Sequence, residues 1–349
     1  MRKTFPVAAA VGAATVAALS RPRREDDLRG EVAVVTGASR GLGLLLATEL
    51  AQRGCRLLIC ARDVAELDRA AVRLKDLGAE VVTVACDVAD EDTAPRLVAA
   101  AQEQYGRLDI VISNAGVIRV GPVESTTVAD YEDAVAIMAL APVRLALAAL
   151  PVMQAQGHGR IVTITSIGGK IGVPHLLPYS TAKFAAVGFS DGLRAELGRG
   201  PVTVTTVVPG LMRTGSHLNA EFAGQRGKEF TWFGLGASLP VVSMDAERAA
   251  RQIVAAVAQR RPEVLLTPAG QVVSRIAGVA PELTTAVLHL AQSLLLPTAD
   301  GDTEAVPGGR VRSALPEPVF GALTSLGRAA ARRFNELGPA DSPRAADLP

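Results

Sequence analysis

The chain is expected to be an α/β protein with a doubly wound parallel sheet. Three observations predict this. Between residues 30 and 268, aliphatic runs of strand length alternate strictly with amphipathic helical stretches, as β–α–β crossovers require. The first such run ends in a glycine-rich turn that opens directly into a helix. Apolar residues make up 49% of the 349, yet aromatics only 3%, so Ala, Val and Leu must fill the interior. Such a composition suits buried strands covered by small-residue helices.

Taken in order, Glu31–Thr36, Arg56–Cys60, Glu80–Ala85, Leu108–Ser113, Arg160–Thr165, Val202–Val208 and Glu263–Thr267 read as strands. Between them, Leu42–Arg53, Val64–Leu77, Glu91–Tyr105, Tyr179–Gly198 and Ala246–Arg260 read as helices. A long helical stretch from Val128 to Gln156 is expected to be interrupted at Pro142 and Pro151. The sequence shows no internal repeat.

Charge and cysteine usage narrow the function. The 36 Lys and Arg against 35 Asp and Glu leave a net charge of +1, which argues against a nucleic-acid binder acting through a basic field. Cys55, Cys60 and Cys86 are odd in number and lie in apolar stretches, so they read as reduced core thiols. His158, His175, His217 and His289 show no metal-ligand spacing, and no metal site is expected.

The ends differ from the middle, giving three segments: 1–29, 30–268 and 269–349. In the first, Arg2 and Lys3 precede an uncharged stretch from Phe5 to Ser20, followed by Arg21, Arg23 and Arg24. A membrane anchor, a surface helix and a cleaved leader all fit; the anchor is preferred although the stretch is short for a span. The folded body would then sit at the cytoplasmic face. In the third segment, an apolar helical stretch at 271–296 is broken by Pro281, a Pro/Gly-rich linker covers 297–318, and a last helix covers 319–337 before a disordered tail.

The turn after the first strand reads Thr36-Gly37-Ala38-Ser39-Arg40-Gly41-Leu42-Gly43. Glycines here let the backbone approach a diphosphate, and the helix N-terminus offers free N–H groups to the anion. At the end of the second strand, an acidic residue selects NAD and a basic one NADP. Arg62 follows that strand and Arg40 stands in the glycine turn, so NADP(H) is favoured over NAD(H); Asp63 reads as the cap of the next helix.

Together with Ser113-Asn114-Ala115-Gly116 and Tyr179-x-x-x-Lys183, this turn resembles the short-chain dehydrogenase/reductase family over residues 30–268. The resemblance implies a seven-stranded Rossmann fold. It implies that Asp87 and Val88 contact the adenine and that Asn114, Ala115 and Gly116 support sheet and cofactor. It also implies that Pro209, Gly210 and Thr214 hold the nicotinamide carboxamide.

Tyr179 and Lys183, one helical turn apart, share a face. Reducing a ketone needs a proton donor that works near neutral pH, whereas a free phenol titrates near 10. A nearby ammonium and a cationic nicotinamide would favour the phenolate. Ser166, at the family's spacing from Tyr179, would hold the substrate oxygen, and Lys183 would also bind the nicotinamide ribose. In the family an asparagine completes this set; alignment on Ala141-Pro142-Val143-Arg144 puts Met138 there, which argues for slowed turnover.

After Thr214, the residues Phe222, Phe230, Trp232, Phe233, Leu235 and Leu239 suggest a lid over an apolar carbonyl or alcohol substrate, faced by His175, Leu176 and Leu177. The expected function is an alcohol/ketone oxidoreductase with Tyr179 as proton donor. The alternative is a membrane-associated dinucleotide-binding scaffold with weak turnover. The family's habit of pairing through the long helix and the Tyr179 helix implies a homodimer or tetramer.

Overall fold

The computed structural model describes residues 25–337. Its centre is a seven-stranded parallel sheet of β1 (Val32–Thr36), β2 (Arg56–Ala61), β3 (Val81–Ala85), β4 (Ile110–Ser113), β5 (Gly159–Ile164), β6 (Val202–Val208) and β7 (Glu263–Leu265). The strands lie in the order β7-β6-β5-β4-β1-β2-β3. The chain runs outward from β1 to β3, then crosses back to β4. That reversal opens a crevice at the carboxyl ends of β1 and β4, where ligands bind in open α/β sheets.

Side-chain alternation along the strands feeds two core layers. Ala33, Val35, Leu57 and Ile59 meet α1 (Gly41–Gln52) and α2 (Val64–Asp76) on one face. On the other, Val32, Val34, Leu58 and Val111 meet α3 (Thr93–Tyr105) and α4 (Val128–Gln156). The Tyr179 helix, α5 (Leu177–Leu197), joins this second layer through Phe189, Leu193 and Leu197. Farther along, α6 (Arg226–Ser238) precedes α7 (Ala246–Ala258), which packs Ala250, Ile253 and Val257 into the first layer.

The prolines do not interrupt α4. Its length and composition would let it cross a membrane, but Leu145, Ala146, Ala149 and Met153 bury it against the sheet as a core helix. A proline ring clashes with the carbonyl four residues earlier, which for Pro142 is that of Met138. A wide π turn at Ala136–Leu140 relieves this clash. Pro151 is placed opposite the exposed Leu147, where a freed carbonyl can meet water.

Residues 25–29 belong to the body. Leu28 is buried, and Asp26 pairs with Arg160 at 2.8 Å and Arg260 at 2.7 Å. The expected anchor at 5–20 and the expected tail beyond 337 lie outside the described residues. The apolar stretch at the start of the C-terminal extension forms two helices, α8 (Pro268–Val279) and α9 (Pro281–Leu295), neither with a buried side chain. Within the expected linker, Val306–Pro307 pairs antiparallel with Glu221–Phe222, which itself pairs with Arg119–Val120. The expected last helix is two, α10 (Glu317–Leu323) and α11 (Ser325–Arg333), docked on α6. Gly234 makes room for Phe320: a Cβ there would sit 3.0 Å from its ring.

Candidate active site

A cleft of about 780 Å³ opens at the carboxyl ends of the central strands. It brings together every site residue expected from the sequence: Gly37, Ser39, Arg40, Gly41, Leu42, Gly43, Arg62, Asp87, Val88, Asn114, Ala115, Gly116, Ser166, Tyr179, Lys183, Pro209, Gly210 and Thr214.

The glycine turn is shaped by what a side chain would hit. Gly37 has φ +62, and a Cβ on it would come within 2.8 Å of the Ala115 backbone. A Cβ on Gly43 would meet the Gly37 carbonyl and the Asn114 amide. Asn114 braces this turn: its Nδ2 donates to the carbonyls of Thr36 at 3.0 Å and Gly37 at 3.1 Å. In return, Thr36 Oγ1 accepts the N–H groups of Asn114 and Ala115. The start of α1 has no side-chain cap and no acidic residue in its first turn. A helix N-terminus without a side-chain cap, a glycine cradle and a cleft of ligand-binding size fit the diphosphate of a dinucleotide.

At the end of β2, Asp63 caps α2 by accepting the Glu66 N–H at 2.8 Å. Arg62 is largely exposed and pairs only loosely with Asp87, at 3.7 Å. Arg40 is held by Glu66 at 2.8 Å and by Glu336 at 3.4 Å. Sequence reasoning did not identify Glu66, Asn219 or Glu336 as lining residues. Glu66 carried a signal, standing three residues past the Asp63 cap in the first turn of α2. Glu336 carried none, since only the tertiary fold brings it to residue 41.

At the other end of the cleft, Ser166 follows β5 and caps a short turn over Ile167–Gly169, its Oγ accepting the Gly168 N–H at 3.1 Å. That turn packs against the Tyr179 ring: a Cβ on Gly168 would lie 3.1 Å from it. Burial pushes the Tyr179 phenol up, and a hydrogen bond with Ser166 opposes this. Lys183 Nζ lies 5.6 Å from the centre of the Tyr179 ring and donates to the Ile164 carbonyl at 2.9 Å. Burial pulls Lys183 down to about 8. The protein alone therefore does not lower the phenol, contrary to part of the expectation.

Met138 is buried in the π turn of α4, packed with Ala134, Ile137 and Ala182 in a cluster that Tyr179 also meets, and it forms part of the cleft wall. Its Sδ lies 3.3 Å from where a Gly116 Cβ would be. A thioether has no hydrogen-bond donor and is only a weak acceptor, so it cannot replace the amide of an asparagine.

The aromatics that follow Thr214 do not line the cleft as the expected lid would. Phe222, Phe230, Phe233 and Phe320 form a small core behind the cleft wall, against which Tyr179 and Ile118 pack, with Phe222 edge-on to Phe230 at 5.3 Å and Phe230 tilted against Phe320 at 5.2 Å. Trp232, Leu235, Leu176 and Val311 pack on the same cluster. Apart from Tyr179 and Ile118, none of these side chains lines the cleft. They were free to look like a lid only because Phe320 is distant in sequence.

Residues 31–222 match the family model of the short chain dehydrogenases. Over 289 residues the chain is 32% identical to a dehydrogenase/reductase SDR family protein 7-like of Anopheles gambiae, covering 79% of this chain and 84% of that one. It is also 32% identical over 197 residues to an estradiol 17-beta-dehydrogenase 11 of Macaca fascicularis, covering 56% of this chain and 66% of the relative. The structure of L-sorbose reductase from Gluconobacter frateurii, complexed with NADPH and L-sorbose, superposes with a TM-score of 0.61 at 26% identity, covering 70% of this chain and 97% of that one. A match running from β1 to beyond β6, and a relative sharing nearly a third of its residues over most of both chains, place this protein in the short-chain dehydrogenase family of oxidoreductases.

Proposed function

We propose that the protein is an NADP(H)-dependent oxidoreductase that interconverts an alcohol with a ketone or aldehyde on an apolar substrate. The observation that carries this reading is the convergence of Ser166, Tyr179 and Lys183 at one end of a cleft whose other end is a glycine cradle. A bound nicotinamide supplies or takes up the hydride. Ser166 holds the substrate oxygen, and Tyr179 gives or takes its proton. Lys183 binds the nicotinamide ribose and stabilises the phenolate. Asp87 and Val88 face the adenine, while Pro209, Gly210 and Thr214 hold the carboxamide.

Arg40 and Arg62 support NADP(H). Both line the cleft beside the end of β2, and the long Arg62–Asp87 contact leaves that guanidinium able to turn toward a 2′-phosphate. The apolar substrate now rests on Val117, Ile118, Met138 and Pro178, which line the cleft near Tyr179, rather than on the aromatics. Exposed Val279, Leu283, Leu290 and Leu294 on α8 and α9 support docking on a cytoplasmic membrane face. Exposed Leu140 and Leu147 of α4, with Phe184 of α5, support a homodimer through those helices.

Single-turnover NADPH oxidation with a panel of apolar ketones tests the enzyme reading. Cofactor binding without reduction of any carbonyl compound, in wild type and Tyr179→Phe alike, would sink it. Met138 favours the second reading, a dinucleotide-binding scaffold with weak turnover. Met138→Asn raising turnover would show that the missing asparagine is the defect; unchanged turnover would exclude that cause.

A further inference from the structure

The anion site at the start of α1 already has an occupant from the same chain. The Gly41 N–H, the first of the helix, donates to the Phe334 carbonyl at 2.9 Å. Asn335, at φ +60, turns its Nδ2 onto the carbonyls of Ser39 at 2.8 Å and Glu66 at 3.0 Å, while Arg69 holds its Oδ1 at 2.8 Å. This clasp sets Glu336 into the cleft wall. A Cβ on Gly41 would lie 2.5 Å from Glu336 Oε1, so the carboxylate fills the face that the glycine leaves open. Glu336 Oε2 accepts from Asn219 Nδ2 at 2.7 Å and stands 3.4 Å from Arg40 Nε. The Phe334 carbonyl thus takes the first N–H of the helix, and the Glu336 carboxylate stands at the positive dipole end that otherwise attracts a phosphate.

Resting on the dinucleotide reading above, we propose that the Phe334–Glu336 segment is an internal competitor for the diphosphate and that Glu336 sets the affinity of the site. Two anions do not share one helix N-terminus without repulsion. Binding therefore requires either that the segment leave or that Glu336 be neutral. The groups facing Glu336 are Arg40 from the glycine turn, Glu66 from α2 and the neutral Asn219. Burial pushes its carboxyl up to about 7, with Glu66 adding to the rise and Arg40 and Asn219 opposing it. Affinity should accordingly weaken as pH rises through neutrality. Arg40 serves both occupants: it holds Glu336 now, and its release frees a guanidinium for the 2′-phosphate.

The test is calorimetric titration of the full chain with NADPH and with NADH at about pH 6 and pH 8, for wild type, Glu336→Gln and Glu336→Ala. At pH 8 both variants are expected to bind roughly tenfold tighter than wild type, a typical size for coupled sites. The gap narrows at pH 6, and comparing variants removes titration of the ligand itself. At pH 8, where Glu336 is charged, amide exchange across residues 331–337 should quicken when wild type is saturated with either dinucleotide. Binding by the variants with wild type silent also supports the proposal. Equal or weaker binding by both variants, or a segment that stays protected on saturation, overturns it and leaves the cofactor reading intact. No binding by any of the three proteins overturns both.

Discussion

His175 Nδ1 lies 2.8 Å from Glu229 Oε1, with both side chains sealed from solvent. His175 stands at φ +60 in the loop that leads into the Tyr179 helix, and Glu229 lies in the first turn of α6. Trp232 Nε1 donates to the second carboxylate oxygen at 2.7 Å. One buried carboxylate therefore ties the approach to the proton donor to the aromatic cluster. Removing one partner of a buried pair leaves the other uncompensated, so Glu229→Ala should cost about 3 kcal/mol in urea unfolding. Trp232, the one tryptophan of the chain, should report the loss as a red-shifted emission.

Tyr179→Phe keeps the ring and removes the proton. Carbonyl reduction should fall by about 100-fold or more, the usual contribution of a positioned acid. The dissociation constant for NADPH should change little. A variant that retains wild-type turnover would remove Tyr179 from the chemistry.

Lys183, held near 8 by burial, carries its charge below that pH and loses it above. The rate of reduction should therefore decline as pH rises through about 8. Lys183→Arg should move that decline upward, because a guanidinium stays charged. The same depression acts on stability. Between about 8 and the ordinary lysine value of 10.5 the unfolded chain binds the proton that the folded one has released. Stability from this group should rise with pH across that window, as denaturation midpoints can show.

His217 is buried against Phe230, ring centres 6.1 Å apart, and neither of its nitrogens has a hydrogen-bond partner among the described residues. Burial pulls it down to about 4, and Arg328 adds to the effect. As pH falls from about 6.5 toward 4 the unfolded chain takes up a proton that the folded one refuses. Stability is lost across that window, by about 3 kcal/mol at most. His217→Leu should flatten the acid slope of the urea midpoint without cost at pH 7, since no hydrogen bond is broken.

The parts that could be read from the sequence are those set by local spacing. The strand–helix alternation, the glycine turn and the Tyr179–Lys183 pair each lie within a few residues, where helical and pleated periodicity fix the geometry. Asp63 as a cap is of the same kind. What could not be read depends on partners far along the chain. The aromatics near 222–233 looked like a lid because Phe320, which completes their core, comes much later. Pro142 looked like a break because periodicity does not reveal the π turn that absorbs it. The carboxylate against Gly41 had no local mark at all.

The clasp between Asn335 and Ser39 spans 296 positions, which gives the extension a role in timing as well as in structure. During synthesis the glycine turn and the strands beside it are made early, while Asn335 leaves the ribosome close to 300 residues after Ser39. A nascent body that has already paired β1 with β4 presents an open phosphate cradle throughout the making of β5, β6 and β7. Under the competition proposed above, a dinucleotide met at that stage would have no rival, whereas one met after the extension docks would have to displace Glu336; the order would change how fast the site fills and leave the final balance the same.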